Sequence, residues 1–230
     1  MGWGNGWIFP MTAVAPGTFA KLRSHLVVLA VYPLMKEQII AGARQLFNHY
    51  GVKTVRLEDV THQLGISKKT LYQYFENKEE LVRQMLDAQL GESLHEASAI
   101  QQQAANAIVG ALQIWDRLIH YKQTVNPSLF LDIERHYPAA WALFQEGKRA
   151  YINTILVANL QAGIEQGLYR PDLNLTVLAW LWAEQSQCDV PSKGDEQVIK
   201  HLFIRGLLTQ EGLRVYEGYV PPAPHPNPSP

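Results

Sequence analysis

The sequence predicts an all-α chain, a small three-helix head followed by a longer all-helical body. Apolar residues recur at three- and four-residue spacing from Ile39 to Leu207, and no stretch alternates as a half-buried strand does. Helix punctuation falls where those runs end: Gly51, Gly65 and Gly167 stand at stops, Ser67, Asn77 and Asn174 at starts. Between Leu57 and Leu81, LEDVTHQLGISKKTLYQYFENKEEL sets two short helical runs around one glycine and begins a third, the layout of a helix-turn-helix.

Residues 1–34 stand apart. They are rich in Gly, Pro and aromatics and show no period. The apolar run Leu26 to Met35 is too short to cross a bilayer, although Lys21 and Arg23 precede it as in a signal peptide. We read 1–34 as an extension, disordered or the product of a start codon assigned too early, with the natural start at Met35. A DNA-touching arm carrying Lys21 and Arg23 is the alternative. The head is expected at 35–82, the body at 83–216 and a disordered, Pro-rich tail at 217–230.

In the head, Ile39, Ile40, Ala43, Leu46, Phe47 and Tyr50 make an amphipathic helix that stops at Gly51. Glu58 to Leu64 is a second helix, with Leu57, Val60, Thr61 and Leu64 on one face. Gly65 supplies the positive φ of a sharp turn, Ile66 plugs it, and Ser67 caps a third helix running from Lys68 to about Phe75. Leu71 and Phe75 face the core, with Tyr74 assisting. The opposite face carries Lys68, Lys69, Thr70, Tyr72 and Gln73.

That face suits DNA. A helix N-terminus favours an anion, and two lysines there oppose the macrodipole unless an anion such as phosphate sits nearby. Gln73 can pair with adenine, Lys68 or Lys69 with guanine, and Thr70 can touch a thymine methyl. Asn77 caps the next helix, with Glu80 placed for a capping box and Lys78 aimed at a phosphate. Arg56 can reach a phosphate too.

The body reads as helix after helix. The helix begun at Asn77 is expected to reach about Leu94. Ile100, Ala104, Ile108, Leu112, Trp115 and Ile119 form one long stripe, broken at Asn126-Pro127. A short helix follows near Leu129 to Arg135, and Pro138 opens another that ends at Gly167. Asn174 caps a helix through Trp182, Pro191 to Gly194 is a turn, and the last long helix holds Val198 to Leu207.

Composition narrows the function. The net charge of −1 hides ten Lys/Arg against six Asp/Glu in residues 1–85 and ten against fifteen afterwards, a positive head on a negative body. The single cysteine, Cys188, excludes an internal disulfide and fits a reducing cytoplasm. No His/Cys cluster surrounds it; His136 with Glu134 gives two metal-ligand candidates and no third, so no metal is expected. There is no activated nucleophile, phosphate loop or HExxH, so neither an enzyme nor a cofactor is expected.

The segment Lys36 to Leu86 resembles the DNA-binding domain of the tetracycline-repressor (TetR) family of bacterial transcriptional regulators. The matching residues are Ala43 to Gly51 (AxxLFxxYG), Glu58 to Val60 (EDV), Leu64 to Ser67 (LGIS) and Lys69 to Leu81 (KTLYQYFENKEEL). Lys69 stands where the family often has a small residue, and Thr61 and Arg56 also depart from its pattern.

The resemblance implies a homodimer on double-stranded DNA, joined through the last two helices, and a body that binds a small-molecule effector. It implies DNA contacts at Ser67, Lys68, Lys69, Thr70, Tyr72, Gln73, Tyr74 and Lys78. Trp115, Tyr121, Phe130, Tyr137, Trp141 and Trp180 are the aromatics expected to line an apolar ligand pocket. The expected protein is a ligand-responsive repressor of a near-palindromic operator, its two recognition helices roughly 34–36 Å apart. The alternative is an architectural or cell-division DNA-binding protein without an effector.

Overall fold

The computed structural model describes residues 34–185 and 195–219, which form ten helices and no strand. Expectations for residues 1–33, for the turn at Pro191 to Gly194 and for the segment from Val220 onward lie outside the described residues. Helix α1 spans 34–50, α2 Leu57–Leu64, α3 Lys68–Tyr72, α4 Lys78–Gln103 and α5 Ala107–Thr124. They are followed by α6 Pro127–His136, α7 Pro138–Glu165, α8 Leu175–Gln185, α9 Asp195–Leu207 and α10 Gln210–Gly218.

The termini are chemical. Asn77, Asn106 and Asn126 each accept a backbone N–H in the first turn of α4, α5 and α6, and prolines open α6 and α7. Gly51, Gly65 and Gly167 all take positive φ at helix ends.

Four local expectations are corrected. The stripe read as one helix from Ile100 to Ile119 is two. α4 runs on to Gln103, and the chain restarts at Asn106, whose Oδ1 accepts the Val109 N–H. The last long helix is likewise followed by a separate one, because Thr209 caps α10 by accepting the Gly212 N–H. That helix continues past Tyr216 to Gly218. Helix α3 ends at Tyr72 instead of Phe75. Finally, the Glu80 carboxylate closes its cap on the Glu76 N–H, one residue before the Asn77 N–H of a capping box.

One apolar core joins head to body. Ile39, Phe47, Leu71 and Phe75 pack with Leu81 and Met85 of α4 and with Leu129, Ile133 and Phe144 of α6 and α7. A second core lies farther along, built by Leu112, Trp115, Leu160, Trp182, Ile204 and Leu207 from α5 and α7 to α9. Helix α4 crosses residues 82 and 83 unbroken; Leu81, Val82, Met85 and Leu86 belong to the first core, and Ala97 packs in a small cluster with Ile114 and Ile155.

The far end of the body is tied by buried polar bonds. The Tyr169 hydroxyl donates to Asn159 Oδ1 (3.1 Å), and Asn159 Nδ2 donates to the Ala107 carbonyl (2.9 Å). Gln166 Oε1 accepts the Ala107 N–H. Burial pushes the Tyr169 phenol well above its usual pKa. The ring lies so close to Gly163 that an added Cβ would sit 2.0 Å from its Cδ2. Gly163→Ala should therefore destabilise the fold by about 1–3 kcal/mol through overpacking. Gly91→Ala, in open space on α4, should stabilise it by about 0.5–1 kcal/mol. Chemical denaturation of the two variants checks both signs.

Candidate nucleic-acid interface

The turn between α2 and α3 is built from three small decisions of the sequence. Gly65 takes φ 63°, ending α2, and the Ile66 N–H reaches back to the Thr61 carbonyl (3.1 Å). Thr61 is buried, and its hydroxyl is satisfied by the Glu58 carbonyl (2.8 Å). Ser67 Oγ then accepts the Thr70 N–H (3.0 Å) and shares a hydrogen bond with the Thr70 hydroxyl (2.9 Å). Leu71 and Phe75 are buried to 0 % and 1 % exposure, which fixes the rotation of α3.

That rotation decides what solvent meets. Lys68, Lys69, Tyr72 and Gln73 are exposed, Tyr72 by 51 %. Ser67 is exposed at the helix start, and Thr70 and Tyr74 are half-buried. Lys68 reaches across the turn to Glu58 (2.9 Å). Each partner favours the other's charged form: the hydrogen bond raises the lysine's pKa and lowers the carboxylate's. An exposed pair of this kind adds little stability, so a phosphate can displace it. Arg56 precedes α2 with an exposed side chain, and its N–H is held by Asp59 Oδ2 (2.6 Å). Lys53, exposed in the preceding loop, is a further cation that the motif reading missed.

Lys78 sits differently from its expected place. Its Nζ donates to the Val52 and Val55 carbonyls and lies 5.7 Å from the centre of the Phe47 ring. Desolvation lowers its pKa. The side chain pins the α1–α2 loop against α4, while the backbone N–H groups of the α4 N-terminus remain the part of this turn suited to phosphate.

Behind the face, two contacts fasten head to body. Arg44 of α1 makes a forked pair with Glu92 of α4 (2.5 and 2.8 Å) and also donates to Gln89 (2.9 Å). Asn48 offers both ends of its amide to the α5–α6 junction. Its Oδ1 accepts the Asn126 N–H (2.7 Å), and its Nδ2 donates to the Thr124 carbonyl (3.3 Å).

The six aromatics expected around a ligand do not converge. Trp115 is buried edge-on against Trp182 with ring centres 4.2 Å apart. Phe130 and Trp141 stack with Phe144 in the head–body core. Burial pushes the Tyr121 phenol up to about 12, against the lowering effect of Arg44 and Arg117. Tyr137 is half-buried, and Trp180 is 61 % exposed.

The body's cavity lies elsewhere, between α4, α5, α7, α8 and α9. It is lined by Gln101, Ile114, Leu118, Tyr151, Ile155 and Phe203 among others, around a void of about 30 Å³. Tyr151, Ile152, Ile155 and Asn159 fall three and four apart on α7, the one signal in the sequence that marks them as neighbours on a helix.

Residues 39–85 match the family profile described as bacterial regulatory proteins, tetR family. An uncharacterised HTH-type transcriptional regulator, YfiR of Bacillus subtilis, is 27 % identical over 152 residues, 62 % of this chain and 71 % of that protein. IcaR of Staphylococcus epidermidis, a negative transcriptional regulator of a biofilm operon, is 36 % identical over 53 residues, 23 % of this chain and 29 % of its own length. Among solved structures, the fatty acid degradation regulator FadR from Bacillus halodurans superposes with a TM-score of 0.61 at 16 % identity, covering 75 % of this chain and 95 % of that one. A TetR-family regulator from Cytophaga hutchinsonii gives 0.60 at 17 %, covering 76 % and 96 %. At such identities the likeness is one of fold.

Lys78→Met should lower stability by about 1–3 kcal/mol, because two loop carbonyls lose their donor. Lys69→Ala, fully on the surface, should leave the melting curve unchanged. Thermal denaturation followed by circular dichroism separates them.

Proposed function

We propose that this chain, a TetR-family transcriptional regulator, is a cytoplasmic homodimeric repressor that releases its operator when a small molecule enters the body. The exposed polar face of α3, held outward by Leu71 and Phe75, carries the reading. Tyr72 and Lys69 meet phosphate, Gln73 reads a base edge, and Ser67, Lys68, Thr70, Tyr74 and Arg56 flank them. The staphylococcal relative that shares the head is a negative regulator, which favours repression. Among the described residues no helix is long and apolar enough to cross a membrane.

A dimer is supported by an apolar stripe on α8 and α9 that stays exposed among the described residues. Val177, Trp180 and Leu181 on α8 are 52 %, 61 % and 44 % exposed, and Val198 and Leu202 on α9 are 56 % and 69 % exposed. Val198, Leu202 and Gly206 stand four apart, and an added Cβ at Gly206 would meet nothing. A second copy would cover this face by two-fold symmetry.

The head-to-body ties make release mechanically simple. Helix α5 carries cavity residues Ile114 and Leu118 and ends where Asn48 of the head is bound. A ligand that pushes α5 moves the anchor of α1. Since both heads must sit in register, a small rotation loses one half-site.

Lys69→Ala should reduce the slope of log affinity against log salt by about one, whereas Gln73→Ala should keep the slope and relax choice at one base pair. Gel-shift titrations over several salt concentrations on a selected operator measure both. If neither variant differs from wild type, α3 is not the reading helix. Leu202→Asp should yield a monomer in sedimentation velocity and weaken operator binding by about a hundredfold or more, since two half-sites no longer act together.

A further inference from the structure

The loop between α1 and α2 is held from both ends. Residues 52–54 form a turn in which Lys53 and Thr54 are exposed, while Val52 and Val55 on either side are buried to 0 % and 3 % exposure. The Val55 N–H reaches back to the Gly51 carbonyl (3.5 Å). Lys78 of α4 closes the other side, its Nζ donating to the Val52 and Val55 carbonyls at 2.5 Å each. One ammonium therefore grips both ends of a two-residue tip.

The charge of Lys78 is answered inside the protein. Its ammonium lies by the Phe47 ring, and the carboxylates that act on it are Asp59 and Asp132. A phosphate that drew Lys78 away would leave two carbonyls, both on buried residues, without their donor. Lys53 is the reverse case. Its side chain is exposed, with no ion pair or hydrogen bond among the described residues.

The tip lies on the reading side of the head. Glu58 is bonded to Lys68 of α3 (2.9 Å), and the charge of Arg56 acts on the same carboxylate. The starts of α2 and α3 are therefore side by side. Lys53 and Arg56 are the exposed cations on either side of buried Val55. Both acids in the first turn of α2 are engaged, Glu58 by Lys68 and Asp59 by the Arg56 N–H. Exposed cations continue from α3 through Arg56 to Lys53.

We propose that Lys53 makes a DNA phosphate contact beside the groove read by α3, and that Lys78 is the positioning residue that holds Lys53 there without touching DNA itself. The inference rests on the DNA-reading role of α3 and extends its footprint by one backbone contact in each half-site. A cation on a tip already fixed by two buried valines and one ammonium meets phosphate without first ordering the loop.

The test uses gel-shift titrations of the full-length protein over several salt concentrations, on a duplex selected from a randomised pool. Lys53→Ala should lower the slope of log affinity against log salt by about one and weaken binding about fivefold at about 0.15 M salt. A methylphosphonate placed at each phosphate in turn should find one position per half-site where neutral DNA costs the wild type that same factor and costs Lys53→Ala nothing. Lys78→Met should lose the same single step of slope, and the double variant should lose no more. Lys78→Arg, which keeps two donors for the carbonyls, should restore the slope. Circular dichroism at the assay temperature confirms that each variant is folded. Lys53→Ala and the methylphosphonate scan decide the phosphate contact even if Lys78→Met is not.

An unchanged slope in Lys53→Ala, or a scan in which no phosphate distinguishes it from the wild type, overturns the contact. A double variant that loses two steps of slope overturns the positioning role, because Lys78 would then meet phosphate itself. Folded Lys78→Met with the wild-type slope overturns it too. Lys69→Ala separates this inference from the reading beneath it. If Lys69→Ala loses slope and Lys53→Ala does not, α3 still reads DNA and only the loop contact falls. If no variant differs from the wild type, both fall.

Discussion

A helix of five residues has no stability of its own. Isolated helices shorter than about 12–15 residues are marginal in water, and α3 is one turn and a half. Its geometry is borrowed from two buried side chains, Leu71 and Phe75, set against Ile39, Phe47 and Leu81. Everything the outward face can do depends on that apolar seat. The Ser67 cap fixes where the helix begins, and Gly65 fixes the angle at which it leaves α2. Lys68 and Lys69 can oppose the helix dipole because the seat, and not α3's own hydrogen bonding, holds the turn in place.

The same seat is shared with the body. The core under α3 includes Leu129, Ile133 and Phe144, which belong to α6 and α7. A change in the packing of α6 is therefore a change in the floor of the head. Arg44 and Asn48 add directional ties, one to α4 and one to the α5–α6 junction. Close-packed interiors do not deform continuously, and a shift of α5 moves Thr124 and Asn126 together with the amide that holds them. Lys78 works on the loop side of the same floor, pulling two carbonyls of the α1–α2 loop onto the start of α4.

How much of this was legible in the sequence follows from range. The turn at Gly65, the cap at Ser67 and the inward pair Leu71 and Phe75 are set within a few residues, and short-range rules read them. Asn106 shows the failure at that same scale. The apolar stripe from Ile100 to Ile119 passes through the break, because Ala104 and Ile108 keep the period while the asparagine ends it. Lys78 was misplaced for a long-range reason: its acceptors lie 26 and 23 residues away, on a loop whose path the sequence does not state. The aromatics expected to share a pocket are dispersed for the same reason. Six large rings were read as a set, yet tertiary packing sends Phe130 and Trp141 to the head–body core and Trp180 to the surface. The cavity is walled instead by Ile114, Leu118 and Ile155, which look like any helix core, with Gln101, Tyr151 and Asn159 as its polar members.

The small size of the void bears on how strongly any ligand could switch such a fold. Driving a two-state equilibrium from 99:1 to 1:99 requires about 5.5 kcal/mol of differential binding, and a ligand bound equally by both states shifts nothing. Apolar burial alone discriminates poorly here, since the void is small and the chain of any ligand must displace side chains in whichever state it enters. The cavity is walled by Ile114 and Leu118 of α5 and by Ile152 and Ile155 of α7, so its shape depends on the spacing of these two helices. Helix α5 is also the one whose far end is tied to Asn48. A ligand that discriminates between two spacings of α5 and α7 would bring its differential binding energy in at the element that anchors the head.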